Sequence, residues 1–140
     1  MKTISYLSIL ILFALQSYAQ SEKKVDLTLE FEATEYDTGS ILFALFNSED
    51  SHMETNYKEV SSILKDSKAK IVVENIPEGF YSFSYFHDVN GNGELDKNML
   101  GIPKEPYGFS NGQEGNFGPP NFQESKIEIK SDTIIQLKIK

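Results

Sequence analysis

Val25, Leu27, Leu29 and Phe31 alternate with Asp26, Thr28, Glu30 and Glu32. A period of two puts the apolar set on one side of an extended chain, so this stretch reads as a half-buried β-strand. Asp37-Thr38-Gly39 is a turn signal. Ser40–Phe46 (SILFALF) is apolar on both faces, which predicts a central strand. Together the two strands read as a hairpin. Asn47 to Lys68 is polar and less regular, but Tyr57, Val60, Ile63 and Leu64 recur at helix-like spacing, which fits a short helix or an irregular crossover. Lys70–Ile76 is the next strand, and Pro77-Glu78-Gly79 the next turn. Phe80–Asp88 is a strongly aromatic strand with Tyr81, Phe83 and Tyr85 on one face and Phe80, Ser82, Ser84 and Phe86 on the other. Lys126–Lys130, a Ser131-Asp132 turn and Thr133–Lys140 alternate cleanly and read as a final hairpin.

Asp88 to Glu124 breaks this pattern. Seven of the nine glycines and four of the five prolines fall there, and neither strand nor helix period survives. A structureless loop of this length is abnormal in a compact domain. Its apolar load (Leu95, Met99, Leu100, Ile102, Tyr107, Phe109, Phe117 and Phe122) argues against disorder, so something must order it. Short strands, polar turns and no strong helix predict an all-β, immunoglobulin-like or prealbumin-like β-sandwich with one long Gly/Pro-rich loop.

Length and ends change the boundaries of that domain. Of 140 residues, the first nineteen read as a secretory signal peptide. Lys2 supplies the positive start, Ile4–Leu15 the apolar run, and Ser17-Tyr18-Ala19 the small residues before a cut at Gln20. The expected organisation is a leader over residues 1–19 and one β-sandwich domain over 20–140, exported to the periplasm or beyond. No cysteine follows the cut, which argues against a lipid anchor, and the absence of cysteine removes disulfides from the stability account. The formal net charge is −8, one unit more negative once Lys2 leaves. Phosphate-rich partners need clustered Lys and Arg, so nucleic acid is not an expected partner. Extracellular or envelope ligands are, with no membrane span left after the leader is removed.

The sharpest chemical signal is Phe86–Asn98 (FHDVNGNGELDKN), with oxygen-bearing side chains at Asp88, Asn90, Asn92, Glu94 and Asp96. Calcium takes six to eight oxygen ligands, and helix–loop–helix calcium loops supply them at alternate positions around a glycine at the sixth. With Asp88 first, Asn90, Asn92, Gly93, Glu94 (through its carbonyl) and Asp96 fall on the ligand positions and the hinge. The bidentate glutamate at the twelfth position is replaced by Met99, and a strand rather than a helix precedes the loop. The expected metal set is therefore Asp88, Asn90, Asn92, Glu94 and Asp96 around a structural Ca2+, with further oxygens from Asn98, Glu105, backbone carbonyls or water. The competing reading is a metal-free Asn-Gly-Asn-Gly turn whose Asp and Asn side chains satisfy backbone amides.

Other chemistry is sparse. Two histidines, no cysteine and no Gly-x-Ser-x-Gly offer no nucleophile–base set. A small extracytoplasmic hydrolase using the carboxylates of the Asp88, Glu94 and Glu105 region together with His87 is the alternative function. Tyr107, Phe109, Phe117 and Phe122 read either as a stacking platform for a ligand or as residues that pin the loop to the sandwich.

His87–Asn111 (HDVNGNGELDKNMLGIPKEPYGFSN), Phe117–Phe122 (FGPPNF) and the lead-in Ile76–Asp88 (IPEGFYSFSYFHD) together resemble the secreted bacterial family known as domain of unknown function 2141. The resemblance covers most of the chain beyond the leader and departs at Pro106. It implies export and a compact all-β domain; it implies no reaction. In motif alone, the loop is also similar to calcium-stabilised prealbumin-like repeats of surface adhesins. The expected role is therefore a non-enzymatic binding or structural module.

Overall fold

A computed structural model describes residues 22–113 and 118–140. The leader expected over residues 1–19 lies outside the described residues, as does Phe117 of the FGPPNF motif. Among the described residues the chain forms eight strands: β1 (Lys24–Ala33), β2 (Ser40–Phe46), β3 (Lys58–Ile63), β4 (Lys68–Pro77), β5 (Gly79–Asp88), β6 (Tyr107–Phe109), β7 (Ile127–Ile129) and β8 (Thr133–Ile139). They make a three-stranded sheet, β4-β1-β8, and a five-stranded sheet, β3-β2-β5-β6, in which β7 also pairs with β5. All pairings are antiparallel except β1 with β8. This is the all-β, two-sheet architecture that the alternation predicts.

The core lies between the two inner faces. β1 buries Val25, Leu27, Leu29, Phe31 and Ala33 and turns its intervening positions outward. β2 brings Ile41, Phe43 and Leu45, and β5 brings Tyr81 and Phe83. Each Val, Leu, Ile or Phe among them contributes about 1.5–3 kcal/mol when removed from water. Phe43 and Phe83 pack at 5.4 Å between ring centroids, and Phe31 meets Tyr85 edge-on at 5.1 Å. Burial pushes the Tyr85 phenol above its ordinary range. For Tyr81, burial and the neighbouring Tyr57 and Glu22 push the phenol up to about 12.

The expected hairpins are all corrected in one direction. β1 pairs with β4 and β8, whereas β2 pairs with β3 and β5. The Asp37-Thr38-Gly39 turn therefore carries the chain from one sheet to the other. The Ser131-Asp132 turn does the same, since β7 joins β5 and β8 joins β1. Asp132 Oδ1 accepts the Asp26 N–H at 2.9 Å, which anchors that crossing to β1. A strand with one apolar face is satisfied beside its neighbour or across from it, and alternation does not distinguish the two.

The helix-like spacing at 57–64 is also corrected, to strand β3. Val60 is half-buried and Ile63 exposed, so the apolar positions do not share a helix face. A tight turn follows, with reciprocal Lys65–Lys68 backbone bonds at 2.8 and 3.0 Å and positive φ at Asp66 and Ser67. It bends the chain from the larger sheet into β4.

The long Gly/Pro-rich segment is more ordered than its composition implies. It holds β6, a single 3₁₀ turn (Ser110–Gly112), and the start of a one-turn helix, α1 (Phe122–Ser125), closed by a reciprocal Asn121–Glu124 capping box. Phe109 and Phe122 are buried, so those two aromatics pin the segment to the sheet. His52 helps. Its Nδ1 lies 2.9 Å from Ser82 Oγ and its Nε2 2.8 Å from the Pro120 carbonyl, with Phe46 and Phe122 against its ring. Met99, Leu100 and Ile102 are exposed and do not join any core.

Candidate functional site

The loop begins where β5 ends. Asp88 is the last residue of that strand, paired with Ser40 of β2, and it is only 3% exposed. His87 beneath it is fully buried. Its Nε2 donates to the Thr38 carbonyl at 2.7 Å, the Tyr36 ring meets it edge-on, and Nδ1 has no partner among the described residues. Gly39 (φ +99°) closes over this corner, and no side chain fits there because a Cβ would lie 2.6 Å from both the Asp88 carbonyl and His87 Nε2.

From this base Asp88 organises the turn through its carboxylate. Oδ1 accepts the N–H groups of Gly91 (2.7 Å) and Asn92 (3.2 Å), and Oδ2 accepts that of Gly93 (2.8 Å). Gly91 and Gly93 take φ of +76° and +80°, which their lack of a Cβ permits. Asn90 Oδ1 accepts the Asn92 N–H at 3.0 Å, and Asn92 Oδ1 accepts the Glu94 N–H at 2.8 Å. The carboxamide Nδ2 groups of Asn90 and Asn92 donate to Asp96 Oδ2 and Oδ1 at 2.6 and 3.0 Å.

Four of the five expected ligand residues are thus drawn together by their side chains: Asp88 from below, Asn90, Asn92 and Asp96 around the rim. Glu94 is exposed; its backbone, not its carboxylate, belongs to the turn. Met99, at the twelfth position, is fully exposed. Among the described residues no group of three or more His, Cys, Asp or Glu side chains is arranged to hold a metal, so any ion here relies on the asparagine oxygens and on backbone or water.

Glu105 plays a part that its sequence position did not announce. It is 8% exposed, and its two oxygens accept the N–H groups of Val89 (2.9 Å) and Asp96 (3.0 Å), strapping both ends of the loop together. The Lys104 N–H to the Asp96 carbonyl (2.8 Å) and the His87 N–H to the Pro106 carbonyl (2.8 Å) continue that strap. These partners lie nine and sixteen residues away, so local spacing carries no signal for them. Asn98, by contrast, folds a local turn by accepting the N–H groups of Leu100 and Ile102. Glu105→Gln offers one amide N–H an NH₂ group instead of an oxygen. We expect a loss of about 1–3 kcal/mol, localised: amide exchange at Val89 and Asp96 should rise while β1 and β2 stay protected, and unchanged protection at both amides refutes the strap.

Hollows mark the surface of the described residues. One of about 160 Å³ on the outer face of the larger sheet is bordered by Leu42, Ala44, Glu59, Ser84, Phe86 and Gly93, so the loop tip forms part of its wall. A groove of about 760 Å³ crosses the other sheet, between Lys68, Lys70, Glu30, Glu32 and Lys138. No helix among the described residues is long and apolar enough to cross a membrane.

No curated protein and no solved structure matches the chain. A family model does, over residues 29–136, a span that runs from β1 through the Asp88–Glu105 loop and into β8. The chain therefore belongs to the family described as "Uncharacterized protein conserved in bacteria (DUF2141)".

Proposed function

We propose that this protein is an exported, non-enzymatic binding or structural module in which the Asp88–Asp96 loop closes around a structural calcium ion. The observation that carries the reading is the convergence of Asn90, Asn92 and Asp96 over a backbone already shaped by Asp88. Asp96 holds two N–H donors that a cation would replace. The Oδ1 atoms of Asn90 and Asn92 each accept one backbone N–H and keep a second lone pair. The Glu94 carbonyl accepts no hydrogen bond among the described residues and supplies a fifth oxygen. With only two carboxylates at the rim and base, affinity belongs in the weak extracellular range, roughly 10⁻⁴–10⁻³ M.

The hydrolase alternative has less support. Both Glu105 oxygens are engaged by backbone amides, Glu94 points to solvent, and His87 is enclosed by Tyr36, Thr38 and Gly39. The calcium reading is tested by thermal unfolding. In about 10 mM calcium the melting temperature should exceed that in EDTA by several degrees, matching a stabilisation of roughly 1.5–3 kcal/mol at such affinities. Identical melting curves in the two buffers refute it.

A further inference from the structure

Large apolar side chains exposed elsewhere on the described surface, such as Met53, Phe80 and Ile134, occur singly along the chain, and isolated ones need no explanation. Met99, Leu100 and Ile102 are different. They fall within four consecutive residues and are 103%, 84% and 55% exposed. They crown a finger that rises from the Asp88–Glu105 loop. Its two legs are joined by the antiparallel Lys97–Pro103 bridge and by the Lys104 N–H to the Asp96 carbonyl.

At the tip the backbone closes on itself. The Asn98 N–H donates to the Ile102 carbonyl and the Gly101 N–H to the Asn98 carbonyl, both at 2.9 Å. Asn98 Oδ1 accepts the N–H groups of Leu100 and Ile102 at 2.9 and 3.0 Å, and Pro103 has no N–H to satisfy. Only the Met99 N–H lacks such a partner among the described residues. An apolar phase penalises unpaired backbone groups, so a turn that pairs its own amides can leave water with little loss. Directly behind the tip, one lysine stands on each leg. Lys97 and Lys104 are exposed, and neither joins an ion pair among the described residues. Asp96, on the same legs, has its carboxylate engaged by the Asn90 and Asn92 amides, which leaves Glu94 as the exposed acid of the loop.

We propose that the finger docks on a phospholipid surface, with Met99, Leu100 and Ile102 entering the boundary of the acyl chains and Lys97 and Lys104 meeting the phosphates around it. A long lysine stem places its ammonium at headgroup level while the tip lies deeper. The tip is already folded, so lipid need not order it. Three side chains bury less than one acyl anchor does, so the docking is weak and reversible. It requires no ion in the Asp88–Asp96 loop and is separable from the calcium reading.

The chain has no tryptophan, so a single introduced one reports its own surroundings. The test uses the chain from Gln20 onward, because the apolar leader would itself enter lipid, and EDTA, because calcium would bridge acids to phosphate. On adding vesicles of mixed phosphatidylcholine and phosphatidylglycerol, Leu100→Trp should show blue-shifted fluorescence that brominated lipid quenches. Ile134→Trp, exposed on the other sheet, should show neither. Met99→Asp with Leu100→Asp should lower co-sedimentation with the vesicles severalfold at unchanged circular dichroism, and so should Lys97→Glu with Lys104→Glu. An unshifted Leu100→Trp overturns the proposal and leaves the tip to a cleft in another protein. Equal shifts at both tryptophans mean non-specific adsorption and overturn it too, as does co-sedimentation indifferent to either pair of substitutions.

Discussion

Asp88→Ala is expected to lower the free energy of unfolding by about 2–4 kcal/mol in EDTA, before any ion is considered. The alanine leaves three backbone N–H groups, of Gly91, Asn92 and Gly93, without the acceptor that shapes the turn. A buried donor stripped of its partner costs about 1–3 kcal/mol. The three sit in an exposed loop where water replaces part of the loss, which keeps the sum below three full penalties. Asp88→Asn retains one oxygen but faces one of these donors with an NH₂ group, so it should fall between alanine and wild type. Urea denaturation in EDTA reads this effect alone. Repeating it with calcium reads the ion, because Asp88→Ala should also abolish any calcium-induced gain. Wild-type stability for Asp88→Ala in EDTA means that the carboxylate does not organise the loop.

Gly39→Val should be at least as damaging, at about 3–5 kcal/mol, from a residue outside the loop. A side chain at φ +99° carries strain of about 1–3 kcal/mol. Its Cβ would also meet the Asp88 carbonyl and His87 Nε2 at 2.6 Å. Relief requires moving the end of β5, at a further cost of about 1–3 kcal/mol. Gly93→Ala is the comparison. Its φ is similarly positive at +80°, but a Cβ there meets nothing within 4 Å, so only strain of about 1 kcal/mol is expected. Equal losses for the two substitutions, read from urea midpoints, would remove the close packing of Gly39 on His87 from the account.

The loop was legible to the extent that its bonds are local. Asp88 reaches amides three to five residues on, and each asparagine reaches two residues on. Fixed short offsets of this kind are what a D-x-N-x-N-G pattern encodes. Glu105 was legible as a further oxygen for the ion or a hydrolase carboxylate, and not as a strap, because the amides that its two oxygens accept become neighbours only when the loop folds back. His52 looked like an unremarkable histidine in a polar stretch. Its contact with the Pro120 carbonyl spans 68 positions, and no pattern in the chain marks it.

Strand existence and facing also came from local physics. A pleated backbone sends successive side chains to opposite sides, so the alternation in β1, the two-sided apolarity of β2 and the aromatic face of β5 declare which positions are inside. Partner choice is a different quantity. Whether β1 lies beside β2 or across the core from it depends on all the strands competing for the same faces. The crossing was foreshadowed only by the six residues between Ala33 and Ser40, longer than a tight hairpin turn. Sheet membership and the parallel β1–β8 contact were therefore decided by tertiary packing, where long-range contacts set energies that no short window of residues contains.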